Sequence, residues 1–229
     1  MRRSAVCTLL ICVTVAVAPK GQAADRSLAA VLAQMDEVSA KFKGLTANFV
    51  HLHHMEVIHA DESDSGTFQF KRPNAKEIRV RMEFLKPEAK TLVSDGGAVE
   101  IYYPASQLVQ KYTFGRRGGL LEMLMAQGFG GSSKDLQRDY TVTLGGPEAI
   151  DGEAATRLQL VPKAQDMPEF KRIDLWISDK YGYTLQQKFF ENGGFQTMTY
   201  SSVKLNPEIP DSVFKLDVPR NTKHETVKK

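Results

Sequence analysis

The sequence predicts a mainly β protein: one amino-terminal helix, then an antiparallel meander of about eleven strands that curls towards a barrel. Three observations carry this expectation. A single helical stripe of apolar residues ends near Gly44. After it the apolar periodicity switches to two and largely stays there to about residue 205. Short turn strings separate the alternating runs, and short connections between successive strands make hairpins. A flat sheet of so many strands is rare, so curling is expected.

The chain has 229 residues and begins with a leader. Arg2 and Arg3 precede an unbroken apolar or small-residue run from Ala5 to Ala18, which is short for a bilayer span, and small residues around Ala23 and Ala24 suit cleavage. Residues 1–24 therefore read as a signal peptide and 25–229 as one domain. Cys12 follows bulky Ile11 within the apolar run and reads as part of that run, not as a lipidation site. Both cysteines, Cys7 and Cys12, fall in the leader, so the remaining chain has no disulfide, thiolate metal site or cysteine nucleophile. The leader also holds Arg2, Arg3 and Lys20 and no acid. Its removal takes Lys and Arg from 30 to 27, against 27 Asp and Glu. No basic field is left for nucleic acid. The last basic cluster, Arg220 to Lys229, reads as a frayed end.

The helix is expected over Ser27 to Lys43, with Leu28, Val31, Leu32, Met35, Val38 and Phe42 on one face, Asp25 or Ser27 as cap and Gly44 as stop. Strands are expected at 45–59, 66–72, 76–84, 90–94, 98–103, 108–114, 139–144, 153–161, 170–178, 183–190 and 195–205. Asp61-Glu62-Ser63-Asp64-Ser65-Gly66, Asp95-Gly96-Gly97, Gly145-Gly146-Pro147, Asp151-Gly152, Asp179 to Gly182 and Asn192-Gly193-Gly194 supply turns. Parity puts Ile78, Val80, Met82 and Phe84 opposite Glu77, Arg79, Arg81 and Glu83. It puts Ile173, Leu175 and Ile177 opposite Asp174, Trp176 and Ser178. One face of the sheet should be apolar and the other wet. The meander is interrupted once, where glycines flank an apolar patch of Leu120, Leu121, Leu124 and Met125, with Phe129 following. That is the pattern of a short helix on hinges or of an ordinary crossover helix.

Catalytic signatures are absent: there is no nucleophile elbow, phosphate loop or dinucleotide fingerprint. His51, His53, His54 and His59 form the one cluster with metal-binding residue types, and His51 and His53 share a face. No further ligand stands at a familiar spacing, so no metal or cofactor is expected. Arg72 is unusual because it follows Phe68 and Phe70 on their apolar face, where a guanidinium must find acceptors.

Three strings in order, Lys71-Arg72-Pro73-Asn74, Leu92-Val93-Ser94-Asp95-Gly96 and Ile101-Tyr102-Tyr103-Pro104, resemble the periplasmic outer-membrane lipoprotein carrier family, LolA. A weaker similarity runs from about Leu28 to Val218. The resemblance implies an incomplete antiparallel β-barrel closed by a short helical lid around an apolar cavity, and a carrier in place of an enzyme. It implies that acyl chains lie among Phe68, Phe70, Ile78, Val80, Met82, Ile101, Ile173 and Leu175. Leu120, Leu121, Leu124, Met125 and Phe129 would form the lid, and Arg72 would latch it through backbone acceptors. The implied partners are acylated lipoproteins, an inner-membrane lipoprotein-releasing transporter and an outer-membrane acceptor, with the carrier a monomer in the periplasm of a Gram-negative bacterium. The chain departs from the family where Phe49 is followed by Val50-His51, since a glutamine often stands two residues after that phenylalanine. Carriage or sensing of a non-protein lipid is the alternative within the binding class. A periplasmic metal-dependent enzyme built on the histidine strand is the alternative outside it.

Overall fold

A computed structural model of the chain describes residues 26–74, 77–95, 98–112, 132–163 and 170–227. The leader and the apolar patch with its glycines lie outside the described residues. Helix α1 spans Leu28–Lys41, with the Ser27 hydroxyl accepting from the Ala30 amide at 3.2 Å as its cap. It stops before Gly44, which opens strand β1. A side chain at Gly44 would collide with the Phe70 carbonyl of the neighbouring strand, so this glycine serves a close backbone approach and not a helix end.

The described strands are β1 Gly44–Met55, β2 Ala60–Asn74, β3 Glu77–Lys86, β4 Lys90–Ser94, β5 Val99–Tyr103, β6 Leu108–Tyr112, β7 Tyr140–Ile150, β8 Glu153–Pro162, β9 Arg172–Ser178, β10 Thr184–Glu191, β11 Gly194–Leu205 and β12 Lys223–Val227. They form one twelve-stranded sheet in the order β12-β6-β5-β4-β3-β2-β1-β11-β10-β9-β8-β7. The sheet is open, with β12 and β7 as its edges, so the barrel is incomplete. Two meanders, β1 to β6 and β7 to β11, are joined by the antiparallel pairing of β1 with β11.

Three expectations about strands change. Asp61 to Gly66 is not a turn. It lies inside β2, paired residue for residue with β1 from Met55↔Ala60 to Gly44↔Lys71, and the reversal comes earlier, in a 3-10 turn at Glu56–Ile58. Long in-register pairing outweighs the poor strand propensity of Asp, on a scale that spans only about 1 kcal/mol per residue. Gly145-Gly146-Pro147 lies within β7, where the register slips between Leu144 and Gly146, and the chain turns at Asp151-Gly152. Within the basic stretch expected to fray, Lys223–Val227 instead pairs in parallel with β6 and extends the sheet.

The inner face is covered in two parts. Val31, Leu32 and Met35 of α1 pack with Leu158, Leu160, Ile173, Leu175 and Ile177 of β8 and β9. A short helix α2, Ser133–Asp139, joins them through Leu136, and Asp36 of α1 accepts from the Ser133 amide at 2.7 Å and its hydroxyl at 2.6 Å. The other half, around β1 to β3, holds Phe42, Leu45, Phe49, Phe68, Phe70, Ile78 and Val80.

The outer face is drier than parity predicts. Asp174, Trp176 and Ser178 are buried. Asp174 lies 2.9 Å from Arg172 and 3.6 Å from Arg157. Burial raises its carboxyl above the ordinary range against the pull of both guanidinium groups. Trp176 donates to Glu148 at 2.7 Å, and Ser178 donates to Glu153. Further round, the segment after β11 straps the outer side of β2 to β5. Lys71 donates to the Ile209 carbonyl at 2.8 Å, Arg81 donates to the Val213 carbonyl at 3.0 Å, and Phe214 is buried.

The strap is fastened by Asp211, which lies 2.5 Å from Lys71 and 2.8 Å from Arg79. Hydrogen bonds from Lys71 first and Arg79 second hold its carboxyl below the ordinary range. The folded value lies below the unfolded one, so this fastening is present above the ordinary carboxylate range and lost as pH falls through the depressed value. Amide protection over residues 206–222, taken relative to the intrinsic exchange rate at each pH, should therefore fall below about pH 4. Asp211→Asn should show the same loosening at neutral pH. Equal protection at both pH values would mean that Phe214 alone retains the strap.

Candidate functional site

The register sets one apolar row across the concave side. Phe68 of β2 pairs with Met82 of β3, Met82 with Leu92 of β4, and Leu92 with Ile101 of β5. Burial fades along the row: Phe68 is 2% exposed, whereas Met82, Leu92 and Ile101 are all half-buried. A parallel row runs Phe70↔Val80↔Ser94↔Val99, with Phe70 fully buried. The floor is aromatic. Phe68 and Phe70 lie 6.4 Å apart, Phe68 and Tyr200 5.7 Å, and Phe49 meets Phe84 edge-on at 5.2 Å. The Tyr200 hydroxyl accepts from Gln187 at 2.6 Å, and complete burial pushes its ionisation far above the ordinary range. Towards β5 and β6 the face stays partly open, and Tyr103 sits there with its phenol raised by burial first and by Tyr112 second.

The structure brings together six of the eight expected cavity residues, Phe68, Phe70, Ile78, Val80, Met82 and Ile101, on the inner side of β2, β3 and β5. Ile173 and Leu175 also face inward, but into the separate cluster beneath α1. Among the described residues Ile173 and Leu175 therefore belong to a different cluster from Phe68, Phe70, Ile78 and Val80. The inward side of β8 and β9 is taken up by the helix, because α1 carries its own apolar stripe and packs there. The expected lid residues Leu120, Leu121, Leu124, Met125 and Phe129 lie outside the described residues.

Arg72 and Lys71 part company as parity requires. Lys71 reaches the strap on the outer side. Arg72 lines an open hollow of about 370 Å³ with Ser39, Ala40, Phe42 and Asn74, at the end of α1. Its own amide donates to the Lys43 carbonyl at 2.7 Å.

The histidine strand divides. His54 faces outward, stacked on Phe195 at 4.8 Å and bonded to Asp61 at 2.7 Å and Glu56 at 3.1 Å, and the Asp61 bond chiefly raises its ionisation. His51 faces inward, with Nδ1 3.4 Å from Asp64 and Nε2 3.1 Å from the Gln196 side-chain oxygen. Among the described residues no group of three or more His, Cys, Asp or Glu is arranged to hold a metal ion. Asp64, Gln196 and Glu191 were not legible as site residues, because their meeting with His51 depends on the pairing of β1 with both β2 and β11.

Comparisons with known proteins point one way. Residues 40–217 match the family described as "Outer membrane lipoprotein carrier protein LolA". An "Outer-membrane lipoprotein carrier protein" from Cupriavidus pinatubonensis is 28% identical over 161 residues, covering 69% of this chain and 68% of the relative. One from Dechloromonas aromatica is 26% identical over 159 residues, covering 69% of each. Among solved structures, an uncharacterized conserved protein from Thermus thermophilus superposes with a TM-score of 0.53 at 15% identity, over 87% of this chain and 97% of that one, which is a likeness of fold.

If the open end of the concave face takes an apolar occupant, Tyr103 loses further water. Desolvation disfavours the phenolate, so its ionisation should move further up when a long-chain fatty amide or similar probe is bound. Ultraviolet titration of the protein with and without probe, with Tyr103→Phe to assign the signal, checks this. An unmoved Tyr103 would put the occupied surface elsewhere.

Proposed function

The chain belongs to the outer membrane lipoprotein carrier family, and from that premise we propose that it is a periplasmic carrier of acylated lipoproteins. Residues 1–24 would be a cleaved leader and 25–229 a single binding domain, receiving its cargo from an inner-membrane transporter and passing it to an outer-membrane acceptor as a monomer. The observation that carries this reading is the apolar row that runs from buried Phe68 to half-buried Met82, Leu92 and Ile101 and crosses four strands of a sheet whose other inner half is already filled by α1. An apolar face open on one side is unfavourable in water and suits a ligand made of methylenes. Each buried methylene contributes about 0.8 kcal/mol, so a long acyl chain is worth roughly 10 kcal/mol gross.

Catalysis has no part in this reading. The carrier binds, shields and releases. Release needs a competitor for the apolar face, and the segment with Leu120, Leu121, Leu124, Met125 and Phe129 is the proposed lid, with Arg72 as its latch. Arg72 stands at the rim of the hollow beside Phe42, on the side of β2 that continues the Phe68 and Phe70 face. Closing the lid on Arg72 offsets part of the gain from burying the ligand.

Two measurements test the proposal. Leu92→Glu places a charge in the middle of the apolar row, and burying it under an acyl chain costs several kcal/mol. Affinity for an environment-sensitive apolar dye should fall at least about tenfold, with far-ultraviolet circular dichroism unchanged. Undiminished dye binding would remove the concave face as the site. Arg72→Leu keeps bulk but removes charge-assisted hydrogen bonds worth about 1.5–3 kcal/mol each. It should retain lipoprotein that the unmutated carrier hands to an acceptor, the open–closed balance moving by roughly 10² to 10⁴ if two bonds are lost. Equal transfer rates would assign Arg72 another role.

A further inference from the structure

A polar belt crosses the same concave face alongside the apolar row, displaced from it along the strands. Five side chains from five strands follow one another. Lys90 of β4 lies 3.5 Å from Asp64 of β2, and Asp64 lies 3.4 Å from His51 of β1. His51 lies 3.1 Å from Gln196 of β11, and Gln196 donates to Glu191 of β10 at 2.5 Å. The belt is inward-facing by register. His51 follows Phe49 by two residues, Asp64 precedes Gly66, and Lys90 pairs with Phe84. It borders the apolar floor directly, with the Lys90 ammonium 4.3 Å over the Phe84 ring and Met198 paired to His51. The side chains of His51, Asp64 and Lys90 are 21%, 23% and 30% exposed, so they are partly desolvated and still reachable.

An apolar face needs no such belt for stability. Outward-facing positions can carry polar residues at less cost, and inward polar groups lose water when an acyl chain lies beside them. We propose that the belt seats the polar end of the ligand. Resting on the reading of the concave face as an acyl site, it adds the class of headgroup that the face selects: one rich in N–H donors and without negative charge.

Two carboxylates, Asp64 and Glu191, stand against one ammonium in the belt, and Glu62 continues the inward parity of β2 beyond Asp64. The acceptors at this end therefore exceed the fixed positive charge. An amide or ammonium N–H finds a carboxylate oxygen, and the belt can open locally to receive it, since the Asp64 contacts to His51 and Lys90 are long for hydrogen bonds. A phosphate or carboxylate head would meet Asp64 and Glu191 as like charges. Peptide N–H groups next to an acylated residue and the ammonium of an aminolipid share the required chemistry.

The test uses the purified protein with three ligands of identical acyl chains. They are a diacylated peptide with an uncharged sequence, a primary-ammonium lipid and phosphatidic acid, each competed against an apolar dye that reports on the acyl face alone. Both N–H-bearing heads should bind about tenfold to a hundredfold tighter than phosphatidic acid, the range of one charge-assisted hydrogen bond. The tighter of the two identifies the source. The double variant Asp64→Asn with Glu191→Gln, nearly isosteric, should shrink this preference towards unity. Equal affinity for all three heads in the unmutated protein, or a preference for phosphatidic acid, overturns the belt while leaving the acyl site standing. Failure of the dye itself to bind removes the acyl site and the belt together.

Discussion

The pairing of β1 with both β2 and β11 is the constraint on which the rest of the structure depends. β1 is twelve residues long and is matched on both sides for most of its length. Without it there would be two separate meanders, each with an exposed edge and half a face to bury. With it, the inner sides become one curved surface. The seam also requires close backbone approach. Gly44 lies against the Phe70 carbonyl and Gly66 against the Glu83 carbonyl, where any side chain would force the strands apart. Phe49 packs over Gly66 and meets Phe84 from there, so the aromatic floor of the concave face exists because a glycine stands beneath it.

From this seam the two halves take different fates. β8 and β9 turn their apolar sides to α1 and form an ordinary core, tied at the edge by Asp36 and Ser133. β2 to β5 are sealed instead on the outside, where the strap from Ile209 to Phe214 is held by Lys71, Arg79 and Arg81. The inner side of these strands is buried at Phe68, Phe70, Ile78 and Val80 and half-buried at Met82, Leu92 and Ile101. The outer strap and both core clusters hold these strands, so the half-buried stretch need not be filled by the protein itself. A carrier needs this division, because a site that contributed heavily to folding could not be emptied without loosening the fold.

Polarity follows the same logic. The inner belt from Lys90 to Glu191 and the hollow beside Arg72 lie on opposite sides of the apolar row, since the row crosses the strands and His51 and Arg72 stand near opposite ends of the paired strands. An acyl ligand lying along the strands from the belt towards Arg72 would cross the apolar residues and meet polar groups only at its end. The outward side shows that buried charge is tolerated elsewhere for structure alone, as Asp174 between Arg172 and Arg157 illustrates.

Alternation of apolar and polar residues was enough to place Phe68, Phe70, Ile78, Val80 and Met82 on one face, to put Lys71 and Arg72 on opposite sides, and to identify α1. Those are local properties, set by the two-residue repeat of a strand and the 3.6-residue repeat of a helix. What alternation cannot determine is which inward residues meet. Ile173 and Leu175 have the same parity as Ile78 and Val80, yet they pack under α1, because the position of that helix depends on the whole inner surface. The run from Asp61 to Gly66 has turn composition and becomes strand, because twelve residues of pairing with β1 outweigh local preference. Lys223–Val227 lies in a stretch of frayed composition and becomes β12, because β6 offers it an edge to pair with. Asp64, His51, Gln196 and Glu191 are distant in sequence and become neighbours only through the register of β2, β1, β11 and β10. The sequence by itself determined the class of fold and the side on which each strand is apolar. Tertiary structure decided which apolar residues stay open and what polar groups border them, because register and helix placement are properties of the assembled sheet and not of any single strand.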